Sequence, residues 1–298
     1  MSKAASSIAK AARMRIIALP LTSEASNSGL HTYYHFQTPP PAKPKSDKSI
    51  LKKATEKTAE LWAAFGKAPE GSWKHRTFTL GERIMDRIEF EELSLKSMDP
   101  SLGPKLSKFG RSSVRLEEKG ATPIPLIYPS FYERKTPPLL HLRSLLEKRT
   151  PKHQKGFYLW LLASPLTAPF ILVPIIPNLP GFFCLWRSWH HYRAYKASSY
   201  LEGLVDKGAI HPESNAVLDK IYEEHQPASP SSSESSSGPN SKPPPDEDNG
   251  EERIVLSREA VPKVVGLFEL PPSAASDLYR ALDQTEHRLR KAQAQAQS

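Results

Sequence analysis

Between Leu172 and Ala194 the chain reads "LVPIIPNLPGFFCLWRSWHHYRA". The part of this stretch up to Trp186 belongs to a longer run, residues 157–186, in which no side chain is charged. Since about 20 apolar residues are enough to span a bilayer as a helix, the length of the run permits crossing. A helix buried in a soluble core rarely extends so far without a charge. The run therefore favours membrane insertion over burial in a soluble core, which stays open as the alternative.

The prolines of the run disfavour one straight membrane helix. Each proline lacks a backbone donor and restricts the residue before it, and an unsatisfied backbone group in hydrocarbon costs several kcal/mol. The pattern predicts a helix from about Phe157, a bend across "VPIIPNLPG", and a second helix that starts near Pro180. The predicted bend consists of Pro174, Pro177, Asn178, Leu179 and Pro180.

Basic residues flank the run on both sides, which favours a hairpin with both ends on one membrane face. Helical spacing on the second helix predicts an interfacial collar, with aromatic rings at headgroup depth and cations beyond them. Its residues are Trp186, Arg187, Trp189, Arg193 and Lys196. The expected partner is an anionic lipid headgroup. Packing of the same aromatics in a protein core is the alternative.

Charge is uneven along the chain. Residues 1–200 carry 31 Lys and Arg against 15 Asp and Glu, whereas residues 201–298 carry 10 against 17. A basic region beside an apolar run indicates attraction to anionic lipid more than to nucleic acid. The N-terminus, rich in Ala and Ser and without an acid before Glu24, is typical of a mitochondrial targeting segment. The single cysteine, Cys184, excludes a disulfide framework and a cysteine-based zinc site.

The rest of the chain has the patterns of short strands and helices separated by loop-forming residues. "MRIIALPL" from Met14 and "HTYYHFQ" from His31 predict a small β-hairpin. Apolar spacing predicts helices over residues 50–66, 80–98 and 139–146, whereas residues 100–138 have the composition of a loop. The Ser- and Pro-rich stretch 226–252 predicts disorder, and two helical patterns follow it.

The expected fold is mainly α, with a small N-terminal β-hairpin, amphipathic helices and a Pro-rich apolar helical hairpin, and with a disordered insert before two C-terminal helices. The expected divisions are a disordered or targeting extension (1–13), the β-hairpin with helices (14–150), the membrane-associated helical hairpin with one further helix (151–225), the disordered linker (226–252) and the C-terminal helices (253–298).

Three motifs together resemble a known family. They are "MRIIALPL", "AAFGKAPEGSWKHRTFTLGERIMDRIEFEELSLKS" and "SPLTAPFILVPIIPNLPGFFCLWRSWHHYRA". The combination resembles the fungal and broader eukaryotic mitochondrial potassium/proton exchange-related proteins. The resemblance extends from about Met14 to Leu204 and over the C-terminal helices, although Trp186 and Ala197 stand where that family tends to have tyrosine and glycine. The resemblance implies a protein of the mitochondrial inner membrane that takes part in potassium/proton homeostasis.

The run itself is unlike the core of an exchanger. A proton-coupled exchanger places Asp, Glu or Lys within the membrane, but residues 157–186 contain none and no second hydrophobic repeat follows. His190 and His191 are the candidate proton-titrating groups, because imidazole titrates near neutrality. We therefore expect an accessory or regulatory component, with other inner-membrane proteins or a second copy as partners.

Other classes fit less well. The chain has no phosphate-binding glycine loop, no H-E-x-x-H and no nucleophile elbow, so we expect no enzyme, no cofactor and no metal site. The acids Glu89, Glu91 and Glu92 form a local cluster, for which a solvated helix face is the favoured interpretation and a metal or proton site the alternative. The alternative function is a membrane-tethered scaffold or a ribosome- or nucleic-acid-binding protein in mitochondria. Its candidate phosphate contacts include Arg111 and Arg115.

Overall fold

A computed structural model describes residues 14–23, 31–39, 57, 60, 64–86, 88–104, 123–134, 137–167, 179–225 and 253–296. Several predictions lie outside these residues. They concern the extension 1–13, the linker 226–252, most of the helix over 50–66, and the bend residues Pro174, Pro177 and Asn178.

Four strands form one mixed sheet in the order β2-β1-β3-β4. The strands are β1 (Arg15–Pro20), β2 (Thr32–Gln37), β3 (Ile124–Tyr128) and β4 (Ile210–Ser214). β1 and β2 pair antiparallel with Arg15 opposite Gln37, which confirms the predicted β-hairpin. β3 pairs parallel with both β1 and β4. The sequence patterns did not indicate β3 or β4. The prediction that all of 100–138 is loop was wrong, because β3 lies within it.

Seven helices surround the sheet within the described part of the chain. They are α1 (Trp73–Asp86), α2 (Phe90–Ser97), α3 (Pro138–Ala163), α4 (Leu179–Asp206), α5 (Ala216–Glu224), α6 (Ala260–Leu267) and α7 (Pro272–Ala296). Short 3-10 turns occur at Pro100–Leu102 and Ser130–Arg134. The mainly α fold with a small strand pair near the N-terminus and two C-terminal helices is confirmed.

Apolar side chains of β1 alternate between two cores, one on each face of the sheet. Ile16 and Ala18 belong to a core completed by α3 and α4, whereas Ile17 and Leu19 belong to a core completed by α5, α6 and α7. Both faces of the sheet are therefore covered. This explains why "RIIALP" reads as a nearly continuous apolar run instead of alternating with polar residues.

Two predicted helix bounds were wrong. The helix predicted across 80–98 is two helices, because the chain leaves helical geometry at Ile88 and Glu89 between α1 and α2. The short helix over 139–146 instead continues through the basic run to Ala163, with Pro151 inside it. An internal proline removes one helical hydrogen bond, but α3 packs along α4 on both sides of that position, and tertiary packing outweighs the local preference. The division expected between residues 150 and 151 falls within α3.

The core against α4 provides a test of this packing. Leu201 is fully buried between α4 and the sheet, so Leu201→Ala should lower the free energy of unfolding by about 2–5 kcal/mol. Urea denaturation of the full-length protein measures this loss. The matched control is Leu140→Ala on α3, an exposed position that should change stability by less than about 0.5 kcal/mol. Equal effects of the two variants would contradict the described core.

His35 on β2 predicts a pH dependence. Burial is the main cause that lowers the pKa of His35 to about 4, with the charge of Arg15 as the second cause. The imidazole pKa in an unfolded chain is about 6.5, so the contribution of neutral His35 is complete above about pH 6.5 and is lost as the pH falls toward 4. His35→Phe retains a ring beside Tyr33 and should reduce the loss of unfolding free energy between about pH 7 and pH 5. Denaturant titrations across this range measure the unfolding free energy of both proteins. An equal fall of that free energy with pH in the two proteins would contradict the assignment.

Candidate functional site

Helices α3 and α4 form an antiparallel hairpin. Arg143 of α3 lies 3.3 Å from Asp206 of α4 at the open end, and the rings of Trp160 and Phe183 lie 5.3 Å apart toward the other end. Residue numbers therefore rise along α3 as they fall along α4. The predicted helical hairpin is confirmed, and α4 begins at Leu179 with Pro180 in its first turn, where proline is tolerated.

The far end of the hairpin exposes large apolar side chains. The most exposed are Leu166 at 78%, Leu162 at 73% and Phe182 at 66% of their full area. We call the exposed set the apolar tip, and it consists of Tyr158, Leu159, Leu161, Leu162, Leu166, Phe182, Leu185 and Trp189. Single exposed apolar residues are ordinary on proteins, but a set gathered at one end of two packed helices marks an interaction surface.

Lysines lie beside the apolar tip. Lys148, Lys152 and Lys155 are exposed along α3 just before Tyr158. On α4, Trp189 and Lys196 of the predicted collar are exposed, whereas Trp186, Arg187 and Arg193 are only partly so. Two of the five predicted collar residues are therefore exposed to solvent, and the other three are partly covered by protein.

The helical part of the first hairpin arm that the structure describes extends only a short way beyond Lys155. From Lys155 to Ala163 the helix rises about 12 Å, which is close to half of a hydrocarbon core about 30 Å thick. Among the described residues no helix has both the length and the apolar character needed to cross a bilayer.

An ion-pair cluster lies part of the way along the hairpin, between its open end and the apolar tip. Its carboxylates, at the start of α2, are Glu89, Glu91 and Glu92, and its cations are Arg149 and Lys152 of α3, Arg187 of α4 and Arg288 of α7. Acids in the first turn of a helix are favoured by the exposed N–H groups there. The cluster joins four helices, because its acids come from α2 and its cations from the other three.

The pair between Arg187 and Glu92 is the most enclosed of these contacts. Both guanidinium Nη atoms of Arg187 donate to the carboxylate, with Nη2 and Oε2 2.9 Å apart. Glu92 is 2% exposed and Glu91 is 8% exposed. The solvated-face interpretation of these two acids was therefore wrong, because α2 packs this face against α4 and α7.

The cations around Glu91 are also partly withdrawn from water. Arg149 and Arg288 both contact Glu91 Oε1, at 2.9 Å and 2.8 Å. Burial lowers the pKa of the Arg149 guanidinium to about 10, with the charge of Arg288 as the second cause. Arg149 stays charged at neutral pH, and a carboxylate shared by two guanidinium groups offsets their mutual repulsion.

Three histidines lie near the cluster. The predicted titrating residues His190 and His191 are buried in the middle of α4, and His153 of α3 faces His191 across the hairpin. Burial is the main cause that lowers the pKa of His153 and His190 to about 3 and of His191 to about 4; the second causes are the neighbouring charges of His191, Lys96 and Arg187 respectively. All three imidazoles are neutral at neutral pH.

Sequence patterns did not indicate His153 as a site residue or the packing of α2 against the hairpin. Glu92 and Arg187 are 95 positions apart, so no local spacing links them. The available signals were three acids opening a helix and one arginine ending a long uncharged run. A buried charge at either place needs a partner of opposite charge, but neither signal identifies that partner.

Comparisons with known proteins match one family model and two uncharacterized yeast proteins. A sequence model for the family described as mitochondrial K+-H+ exchange-related matches residues 15–205, from β1 almost to the end of α4. The uncharacterized protein YDL183C of Saccharomyces cerevisiae is 24% identical over 240 residues, covering 76% of this chain and 70% of its own. The uncharacterized protein C23H3.12c of Schizosaccharomyces pombe is 27% identical over 213 residues, covering 70% and 82%. No solved structure matches the chain.

The buried ion pair predicts a non-additive mutational result. Arg187→Met leaves Glu92 charged and without its partner, and this should cost about 3–5 kcal/mol of unfolding free energy. Adding Glu92→Leu should restore most of the loss, because replacing both charges by apolar groups removes the desolvation cost. Urea denaturation of the two variants measures the difference. Arg143→Met, which removes an exposed pair with Glu147, is the control and should change stability little. A double variant as unstable as Arg187→Met would contradict the pairing.

Proposed function

The chain belongs to the mitochondrial K+-H+ exchange-related family, and we propose that it acts in potassium/proton exchange at the inner membrane as an accessory or regulatory component. The observation that carries the proposal is the apolar tip, exposed beside a row of lysines. The relation to mitochondrial K+-H+ exchange comes from the family, whereas the two yeast relatives are uncharacterized. The manner of action is therefore argued from the surface of this chain.

The apolar tip has the composition of a lipid-inserting surface. Transfer of an exposed leucine such as Leu162 or Leu166 from water to hydrocarbon is favourable by about 1.5–3 kcal/mol. Lys148 and Lys155 precede this region along α3, and each lysine near an anionic surface contributes about 1 kcal/mol. Lys152, between them, is already paired with Glu89. The side chain of Trp189 lies at the same border, which suits the headgroup layer. Both contributions act together when the tip enters an anionic membrane.

The geometry supports entry from one side. Both arms of the hairpin return to the same protein body, and basic residues precede and follow the apolar run, as expected when neither end is translocated. The arm beyond Lys155 matches the depth of one leaflet. The proposed arrangement is a re-entrant tip with the sheet and the other helices in the adjoining aqueous compartment.

The accessory role follows from where the ionisable groups lie. The uncharged run holds no carboxylate for a transported cation. The buried acids of the ion-pair cluster lie outside that run and are already paired with arginines. His190 and His191 stay neutral at neutral pH. A transport path therefore needs groups supplied by another inner-membrane protein or by a second copy of this chain.

Liposome flotation tests the lipid contact. The double variant Leu162→Glu/Leu166→Glu should lose most of its binding to liposomes that contain cardiolipin, because two charges would enter hydrocarbon. Leu140→Glu is the matched control, since it adds a charge at an exposed leucine of α3 outside the tip and should float like the unchanged protein. Equal flotation of the three proteins would overturn the lipid-inserting tip.

Swelling of isolated mitochondria in potassium acetate tests the exchange role. Mitochondria that lack the protein should swell more slowly, and the unchanged protein or Leu140→Glu should restore the rate, whereas Leu162→Glu/Leu166→Glu should not. Purified protein alone in potassium-loaded liposomes should give no exchange, and exchange by the protein alone would contradict the accessory role. Unchanged swelling without the protein would instead support the scaffold or ribosome-binding alternative.

A further inference from the structure

Three side chains that can bind a metal ion lie close together beside the ion-pair cluster. His153 of α3, His191 of α4 and Glu92 of α2 each offer one ligand atom, and these atoms all lie within 4.8 Å of one another. All three residues are buried, and His153 is fully so. We propose that Glu92, His153 and His191 form a binding site for a divalent transition metal ion such as Zn²⁺.

The two imidazoles already have the spacing that such an ion needs. The Nδ1 atoms of His153 and His191 are 3.2 Å apart. Two nitrogens bound to one tetrahedral Zn²⁺ at about 2.0–2.1 Å lie about 3.3 Å apart. Without a metal, that contact holds a single hydrogen, so one of the two nitrogens can act only as an acceptor.

The hydrogen bonds of His153 are incomplete. Its Nε2 is buried and finds no hydrogen-bond partner among the described residues. A buried polar atom without a partner is uncommon in folded proteins. The nitrogen of His153 that faces His191 is the other one, Nδ1, and this is the candidate ligand atom. A neutral imidazole keeps one nitrogen lone pair available, as metal ligation requires.

The position of His191 is fixed by a glycine. A Cβ at position 156 would lie 2.8 Å from a ring atom of His191, so only glycine lets α3 approach this closely. Ser188, one turn before Tyr192 on α4, donates its hydroxyl to the carbonyl of Phe157 at 3.1 Å and holds the helices in the same register. The two candidate nitrogen ligands are therefore placed by backbone packing.

Arg187 acts on the third ligand. It donates to both oxygens of Glu92, but each carboxylate oxygen has two lone pairs, so one remains for a metal ion. Hydrogen bonding of a ligating carboxylate by an outer residue is usual at metal sites. A cavity of about 630 Å³, lined in part by Glu92 and His191, borders the site and leaves room for water as a fourth ligand.

The ligand set selects the class of metal. Two imidazoles and one carboxylate suit Zn²⁺ and its neighbours, whereas Mg²⁺ and Ca²⁺ take oxygen ligands alone. The surrounding arginines and lysines also disfavour a purely electrostatic cation site. The bound ion is thus distinct from the potassium of the proposed function, and the inference does not depend on that function.

Metal titration of the purified full-length protein, prepared without a histidine tag, tests the inference. At micromolar protein and neutral pH, one Zn²⁺ should bind per chain in competition with a chromophoric chelator. Co²⁺ should give the intense visible absorption of a four-coordinate ion. His191→Gln should weaken Zn²⁺ binding by at least about 100-fold, since loss of an outer-shell partner alone already costs about 10–100-fold.

The adjacent histidine supplies the control. His190→Gln changes the same residue type on the same helix, but its ring packs on Trp186, so Zn²⁺ affinity should stay unchanged. The weak spectrum of six-coordinate Co²⁺ in the unchanged protein would overturn the site whether or not the variants fold. Equal Zn²⁺ affinity of folded His191→Gln and the unchanged protein would overturn it as well.

Discussion

The ion pair between Arg187 and Glu92 ties the apolar hairpin to the rest of the protein. Arg187 directly follows the uncharged run, and Glu92 opens a helix that also contacts the C-terminal helix through Glu91 and Arg288. Both partners are largely withdrawn from water, so each depends on the other for its charge to be tolerated. The family segment and the C-terminal helices thereby meet at one buried network.

Around this network the hairpin passes between two environments. At the open end, Leu142, Leu146 and Leu201 pack on the sheet. Past the histidines, the same two helices turn leucines and aromatic rings outward. One continuous pair of helices thus serves as core at one end and as an apolar surface at the other, with the ion-pair cluster at the border. The cavity beside the proposed metal site is also lined by Leu159 of the apolar tip, so the two proposed sites adjoin at this border.

Features with a strong local signature could be predicted from the sequence. The uncharged run with its prolines indicated two helices and a bend, and β-branched and aromatic residues indicated the first strand pair. Strands β3 and β4 are five residues each and contain proline, so their signal is weak. Apolar spacing indicated a helix only over 139–146, but packing of α3 against α4 carries the helix on through Pro151. The site itself joins Glu92, His153 and His191 from three helices, and such a meeting follows only from the tertiary fold.

The depth of the hairpin tip in a membrane is the most direct test of this account. A nitroxide label at a cysteine placed at Leu162, in a Cys184→Ser background, can be compared with a label at Leu140 in cardiolipin-containing liposomes. The account predicts that the Leu162 label is open to oxygen and shielded from a water-soluble paramagnetic relaxant, whereas the Leu140 label stays open to that relaxant. A Leu162 label as open to the aqueous relaxant as the Leu140 label would contradict insertion of the tip.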